Sequence, residues 1–384
     1  MLAFTPDAVR ASEPPDLEAR IAAAERAATI SMPTPEAEIW RYSRIAELHL
    51  ENYRPGHAIT TIDAGGADAA VSVVHGGALA ERFVTADAVD LFHELNNAFA
   101  DTVVVSVRAG QAVSRPIVIT HRLDAAGIAC FPRLIIDAAP DSEITVVETF
   151  VSADGVDALC IPRLEVNAAQ AARVRYLGVN MLGTSTWQLA HQRAVGERDS
   201  NTLLATVALG GDYARVRTEA RITGQGGSTR QIALYYADGD QMHDFRTMQD
   251  HDAPKTTSDL LFKGAVQDRA RSVYTGLIKI RKAAKGSVAF QTNRNLTLSE
   301  GAWAESVPNL DIETNEVKCS HASTVGPIDE EQRFYLESRG IRPEIAERLV
   351  VLGFFDEVLD QLPVGTLAAE LRAQVSAKLQ RRTP

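Results

Sequence analysis

The chain has 384 residues, 50 acidic and 39 basic side chains, a formal net charge of −11 and 45% hydrophobic residues. These are the values of a soluble globular protein, which sets aside collagen-like, low-complexity and disordered classes, and the negative charge argues against nucleic acid as a partner. No uncharged apolar run reaches the ~18 residues of a membrane span, residues 1–16 lack the apolar core of a secretory signal, and three cysteines (Cys130, Cys160, Cys319) suit a reducing cytoplasm with no disulfide framework.

The ends of the chain read as helical. Asp16 is placed to cap a helix over Leu17 to Thr29, a stretch rich in Ala, Glu and Arg. Thr34-Pro35-Glu36 predicts a second helix start, with a hydroxyl N-cap, Pro at the first position and an acid in the first turn, leading into Ile39-Trp40-Arg41-Tyr42. Asp87 opens a third, with Leu91, Phe92, Leu95 and Phe99 on one face. Residues 1–100 are therefore expected to form a mainly helical N-terminal domain.

From about Thr102 to Ser320 the pattern changes to period two. Residues 214–222 alternate long charged side chains with small or β-branched ones, as a strand with one buried and one wet face would. Similar runs recur at Ile117–Thr120, Ile144–Phe150, Arg173–Gly178, Leu203–Leu209, Val273–Ile280 and Leu296–Leu298, punctuated by Gly210-Gly211, Gly226-Gly227 and Asp238-Gly239. There is also an internal echo: Cys130-Phe131-Pro132-Arg133-Leu134 is matched 30 residues later by Cys160-Ile161-Pro162-Arg163-Leu164, and more loosely by Pro308-Asn309-Leu310-Asp311-Ile312. A helix-free repeat of this length fits coils of a β-helix, with Cys130 and Cys160 stacked in its core. The expected core covers residues 101–322.

After Pro327 the helical period returns. Asp329 caps a helix with Gln332 at its third position, ending at Gly340. Pro343 opens another, with Ile345, Leu349 and Leu352 in phase, expected to stop at Gly353. Leu367, Leu371, Val375 and Leu379 mark a last helix. Residues 323–384 thus form a helical C-terminal domain, expected to close that end of the β region.

The common catalytic motifs are missing. There is no G-x-x-x-x-G-K-[ST] phosphate cradle and no C-x-x-C; His93-Glu94 lacks the second histidine of a zincin, and Gly226-Gly227-Ser228-Thr229-Arg230 lacks the closing glycine of a nucleophile elbow. Met242-His243-Asp244 and Asp250-His251-Asp252 look metal-like, but loop packing and solvated acids account for them more simply.

The stretch from Pro308-Asn309-Leu310-Asp311-Ile312 through Val317-Lys318-Cys319-Ser320-His321-Ala322-Ser323-Thr324-Val325-Gly326 to Phe334-Tyr335-Leu336-Glu337-Ser338-Arg339-Gly340-Ile341 closely resembles the SufB/SufD family, scaffold subunits of the SUF iron–sulfur cluster assembly machine. His251-Asp252-Ala253-Pro254, Ser258-Asp259, Lys263-Gly264, Asp268-Arg269-Ala270-Arg271-Ser272, Gly276-Leu277-Ile278 and Trp40-Arg41-Tyr42 extend it over about residues 35–384. The chain falls on the SufD side: Thr292-Asn293-Arg294 stands where SufB typically carries its essential cysteine, and Cys319-Ser320-His321 where SufB has Glu-His-Glu. The resemblance implies a right-handed parallel β-helix with helical ends, a SufB-like paralogue paired along it, and a SufC ABC-type ATPase on the C-terminal helices. The chain would then be a non-enzymatic scaffold, without a tightly bound cofactor of its own; ATP would bind SufC, and a transient Fe–S cluster would form with SufB. A homodimer of the chain alone stays open.

The same resemblance puts His321 at the SufB interface as a ligand to iron or a nascent cluster, chemistry suited to a neutral imidazole. Cys319, two residues earlier, would share its face on a strand and is the second candidate ligand. The rival reading is a β-helix carbohydrate-active enzyme, which would need clustered carboxylates in a groove.

Overall fold

The computed structural model describes residues 3–65, 70–76 and 90–380, so Asp87 lies outside the described part. Strand accounts for 46% of the described residues and helix for 22%, arranged as a β-solenoid of about eight turns with helices at both termini. Each turn gives one strand to each of two sheets, and successive turns stack in parallel. The 30-residue echo is this stacking: Cys130 pairs with Cys160, Leu134 with Leu164 and Ala138 with Ala168. The third copy shares composition but not register, because Pro308 stands on Gly276 in a column that descends to Leu164, two positions past Pro162.

Alternation along each strand separates a lumen face from an outer face. In the early turns the lumen is filled by Val103, Val105, Ile117, Ile119, Leu134, Ile136 and Val146, all buried. Later turns place amides and phenols there: Gln231, Tyr235, Gln249, Tyr274, Gln291, Asn293 and Asn295 are buried as well. The outer face is not uniformly wet. In the strand Tyr213–Ile222, Arg215 points outward yet is buried, because the N-terminal segment lies over it. Its guanidinium sits 4.0 Å from the Trp40 ring centroid, and it pairs with Asp244.

The N-terminal helices are α1 (Pro6–Ala11), α2 (Leu17–Thr29) and α3 (Leu91–Phe99). Asp16 precedes α2 as expected but does not cap it: the chain enters through a left-handed residue, φ 58°, whose side chain accepts no hydrogen bond from the helix. The helix expected after Thr34 shrinks to one 3-10 turn, Glu38–Trp40, since Trp40 is drawn down against Phe92 and Arg215. α3 is capped by Asp90, which accepts from the His93 N–H at 3.0 Å. Residues 1–100 also hold strands: Ile59–Asp63 and Val71–His75 run antiparallel to the two strands of the first turn and cover that end of the solenoid.

α4 (Glu330–Ser338) is capped by Asp329, which accepts from the Glu331 and Gln332 N–H groups, and Gly340 at φ +83° ends that turn. α5 (Pro343–Leu359) does not stop at Gly353, because Phe355, Val358 and Leu359 beyond it are buried. α6 (Gly365–Gln380) follows. The helical unit does not close the end of the β region. α5 and α6 lie on the flank, where Val351, Phe355, Val358, Leu371 and Val375 join the outward Ala205, Val207, Ile232, Leu234, Tyr236 and Leu261 in one core. Each of the larger apolar side chains among them contributes about 1.5–3 kcal/mol on burial, which holds the helices on this flank. The Lys378 ammonium pins α6 by donating to the Leu209 carbonyl at 2.8 Å and to Asp238 at 2.6 Å.

Candidate functional site

The last turn consists of the strands Trp303–Ile312 and Val317–Gly326, each the terminal strand of its sheet. The two face each other across the lumen mouth, where the Ser323 hydroxyl meets that of Ser306 at 2.6 Å. Each strand is paired on one side only, with Arg271–Ile280 and Ser287–Thr297 respectively. Their outer edges therefore present unpaired backbone groups, the form of edge that invites strand pairing.

His321 is displayed at this end. Its column descends through Gln291, Leu260, Gln231, Leu204, Tyr176, Val146 and Ile117, each in register with the next and each buried. The position is thus a lumen position, and the imidazole is exposed because no further turn covers it. Leu310 and Ile312, on the lumen face of the neighbouring strand, are each 40% exposed for the same reason.

Cys319 shares the face of His321, as the spacing predicts: it stands on Ala289 as His321 stands on Gln291. It is half-buried and packs with Val317 against Ile278, Ile280, Ala284 and Ala289. Burial pushes its thiol pKa up, favouring the protonated form, which must lose its proton before it can ligate a metal. Of the two sequence candidates, His321 is the accessible donor.

Cys130 and Cys160 are fully buried in stacked turns. The metal-like cluster is mostly buried strand with ion-paired acids, and Asp252, just past the strand and partly exposed, pairs with Arg221. Met242–His251 is a strand, Asp244 pairs with Arg215 and Arg246, and Asp250 pairs with Arg281. His251 is held by the Thr256 and Ser258 hydroxyls at 2.7 and 2.8 Å. Among the described residues, no group of three or more His, Cys, Asp or Glu is arranged to hold a metal ion.

Sequence reasoning passed over the polar lumen beneath His321. Gln291, Asn293 and Asn295 alternate on the inward face, a period-two run of amides where apolar residues belong, and that was the available signal. Asn293 and Asn295 are satisfied: the Tyr235 hydroxyl donates to Asn295 at 2.6 Å, Asn293 donates to Tyr235 at 2.9 Å, and Asn295 donates to Asn293 at 2.8 Å.

The described residues form a solenoid with one end covered by antiparallel strands and one end open, and His321 is exposed at the open end. Residues 121–354 match the family model described as the SufBD core domain of SUF system FeS cluster assembly. The chain belongs to the SufB/SufD family of the SUF iron–sulfur cluster assembly system. It is 29% identical to the iron–sulfur cluster assembly protein SufD of Escherichia coli over 297 residues, 76% of this chain and 70% of that protein. It is also 29% identical to Bacillus subtilis SufD over 272 residues, 70% of this chain and 62% of that one. An iron–sulfur cluster assembly SufBD family protein of Mycobacterium tuberculosis is 42% identical over 199 residues, 50% of each chain, so the match spans about half the length of that relative.

Proposed function

We propose that the chain is a SufD-type scaffold subunit, itself without ATPase activity, that pairs with a SufB-like paralogue through its last turn and works in the cytoplasm. The unpaired edges of Trp303–Ile312 and Val317–Gly326, with uncovered Leu310 and Ile312, support this: strand edges and apolar side chains are satisfied together when a second solenoid abuts the first. His321 then sits in the seam and offers its imidazole to iron or to the nascent cluster, which is cargo; the partner completes the ligand set, and Cys319 is the secondary candidate.

A SufC-type ATPase docks on the helical unit in this reading. Phe334 (72% exposed), Tyr335 and Leu349 leave an apolar surface there, beside an open groove of about 810 Å³ between α4 and α5. ATP bound by that partner shifts the complex toward a state that opens the seam. In this reading the working units are the N-terminal 1–100, a solenoid that runs past the expected 322 to the end of its last strand at Gly326, and the helical segment after it.

The observation that carries the proposal is His321 at an uncapped turn. The test is anaerobic reconstitution of the complex co-purified through a tag on this chain. The parent is expected to bring down a SufB-like chain and an ABC-type ATPase and to assemble a cluster, with His321→Ala losing most of it. Equal assembly by His321→Ala removes the ligand role, and absence of both partners removes the scaffold reading.

A further inference from the structure

We infer that Gln291 is a positioning residue for His321: its carboxamide oxygen accepts the Nδ1–H of the His321 ring, leaving Nε2 with its lone pair turned outward. The inference rests on the reading of His321 as the residue presented to cargo.

Gln291 is 1% exposed, yet neither its amide nitrogen nor its amide oxygen has a hydrogen-bond partner among the described residues. A buried polar group left unpaired costs about 1–3 kcal/mol, and native proteins leave few of them without a role. The contrast with its neighbours is direct, because Asn293 and Asn295 on the same face are closed into a network with Tyr235. The fold also reserves the space. Across the lumen stands Gly276, where a Cβ would lie 2.4 Å from Gln291 Nε2 and 2.7 Å from its Cδ. A glycine there lets the carboxamide lie across the lumen one turn below the mouth.

Only one turn lies above it. His321 is the register partner of Gln291 on the adjacent parallel strand, a spacing of about 4.8 Å. The residue stacked on Gly276 is Pro308, which has no N–H to offer. The His321 ring is exposed and turns about its side-chain bonds on the ps–ns scale, so its inward rotamer meets the orphaned amide. The direction of the hydrogen bond follows from what ligation needs. A ring whose Nδ1–H is held by an oxygen presents a bare Nε2, whereas a ring accepting from the amide N–H would point its remaining N–H outward and could not bind iron.

The test is ring ¹⁵N NMR of the full-length chain with labelled histidine, metal-free and at pH 8, with the His321 signal assigned by its loss in His321→Ala. The parent is expected to show the Nδ1–H tautomer enriched several-fold over its share in a solvent-exposed imidazole. Gln291→Met should abolish that enrichment and Gln291→Glu should restore it, each with a cooperative melt. If Gln291→Met does not fold, Gly276→Ala displaces the carboxamide from its seat and should have the same effect. A parental tautomer ratio in folded Gln291→Met or Gly276→Ala overturns the inference. No iron is present, so this outcome is independent of the reconstitution that tests His321 as a ligand.

Discussion

His321 and Ile117 occupy the same column of the solenoid, yet one is an exposed imidazole and the other a sealed aliphatic side chain. A residue's environment here depends on which turn carries it as much as on its own chemistry. His251 shows the opposite fate to His321. It is fully buried, and burial pushes its pKa down to about 4, with Asp250 opposing in part. The unfolded chain, with an ordinary histidine pKa near 6.5, therefore binds more protons than the native state across that interval. Its contribution to stability is complete above about pH 6.5 and is lost as pH falls toward 4, by roughly 3 kcal/mol. Urea unfolding of the parent and of His251→Gln should show a shallower acid loss in the variant. Identical pH slopes would remove His251 as the source.

At the scale of elements, several local signals held. Asp329 and Gly340 bound α4 as their types demand, and Leu371 and Val375 face the core from α6. They failed where packing dominated: α5 runs through Gly353 because its last turn is buried on the flank of the solenoid. Gly353 is exposed, and nothing lies within 4 Å of where its Cβ would stand. Gly353→Ala should therefore stabilise α5 by about 0.5–1 kcal/mol, since glycine gives up more backbone freedom in a helix than alanine does. Hydrogen exchange in α5 should slow by a matching factor while the strands stay unchanged; unaltered exchange there would contradict a plain helix interior at this point.

The molecule as a whole has two unlike ends. Antiparallel strands cover the first turn, and the last turn is bare. A solenoid gains stability from each stacked neighbour, so a turn with one neighbour lacks half of that gain and its lumen residues stay wet. Replacing Leu310 and Ile312 by Lys should leave the melting temperature within a few degrees, since both are already 40% exposed. Co-purification of the SufB-like chain should fall at least tenfold, because each side chain buried in such a seam contributes about 1.5–3 kcal/mol. Retained pairing with both lysines in place would move the interface elsewhere.

Much of this was legible in the chain alone. Period-two runs reported strands, because alternation is a property of the extended backbone itself, and the Cys130–Cys160 echo reported stacking, because equal turns place like residues in one column. The motifs around Cys319 and His321 picked out two candidate positions that lie on the last turn. Only the tertiary structure decided that His321 belongs to a lumen column, that Gln291 lies unpaired beneath it, that Trp40 covers Arg215, and that the C-terminal helices take the flank and leave the mouth open. Those facts depend on register and on which apolar surfaces compete for the same cover. Both are set by residues dozens to hundreds of positions apart, and no local pattern carries them.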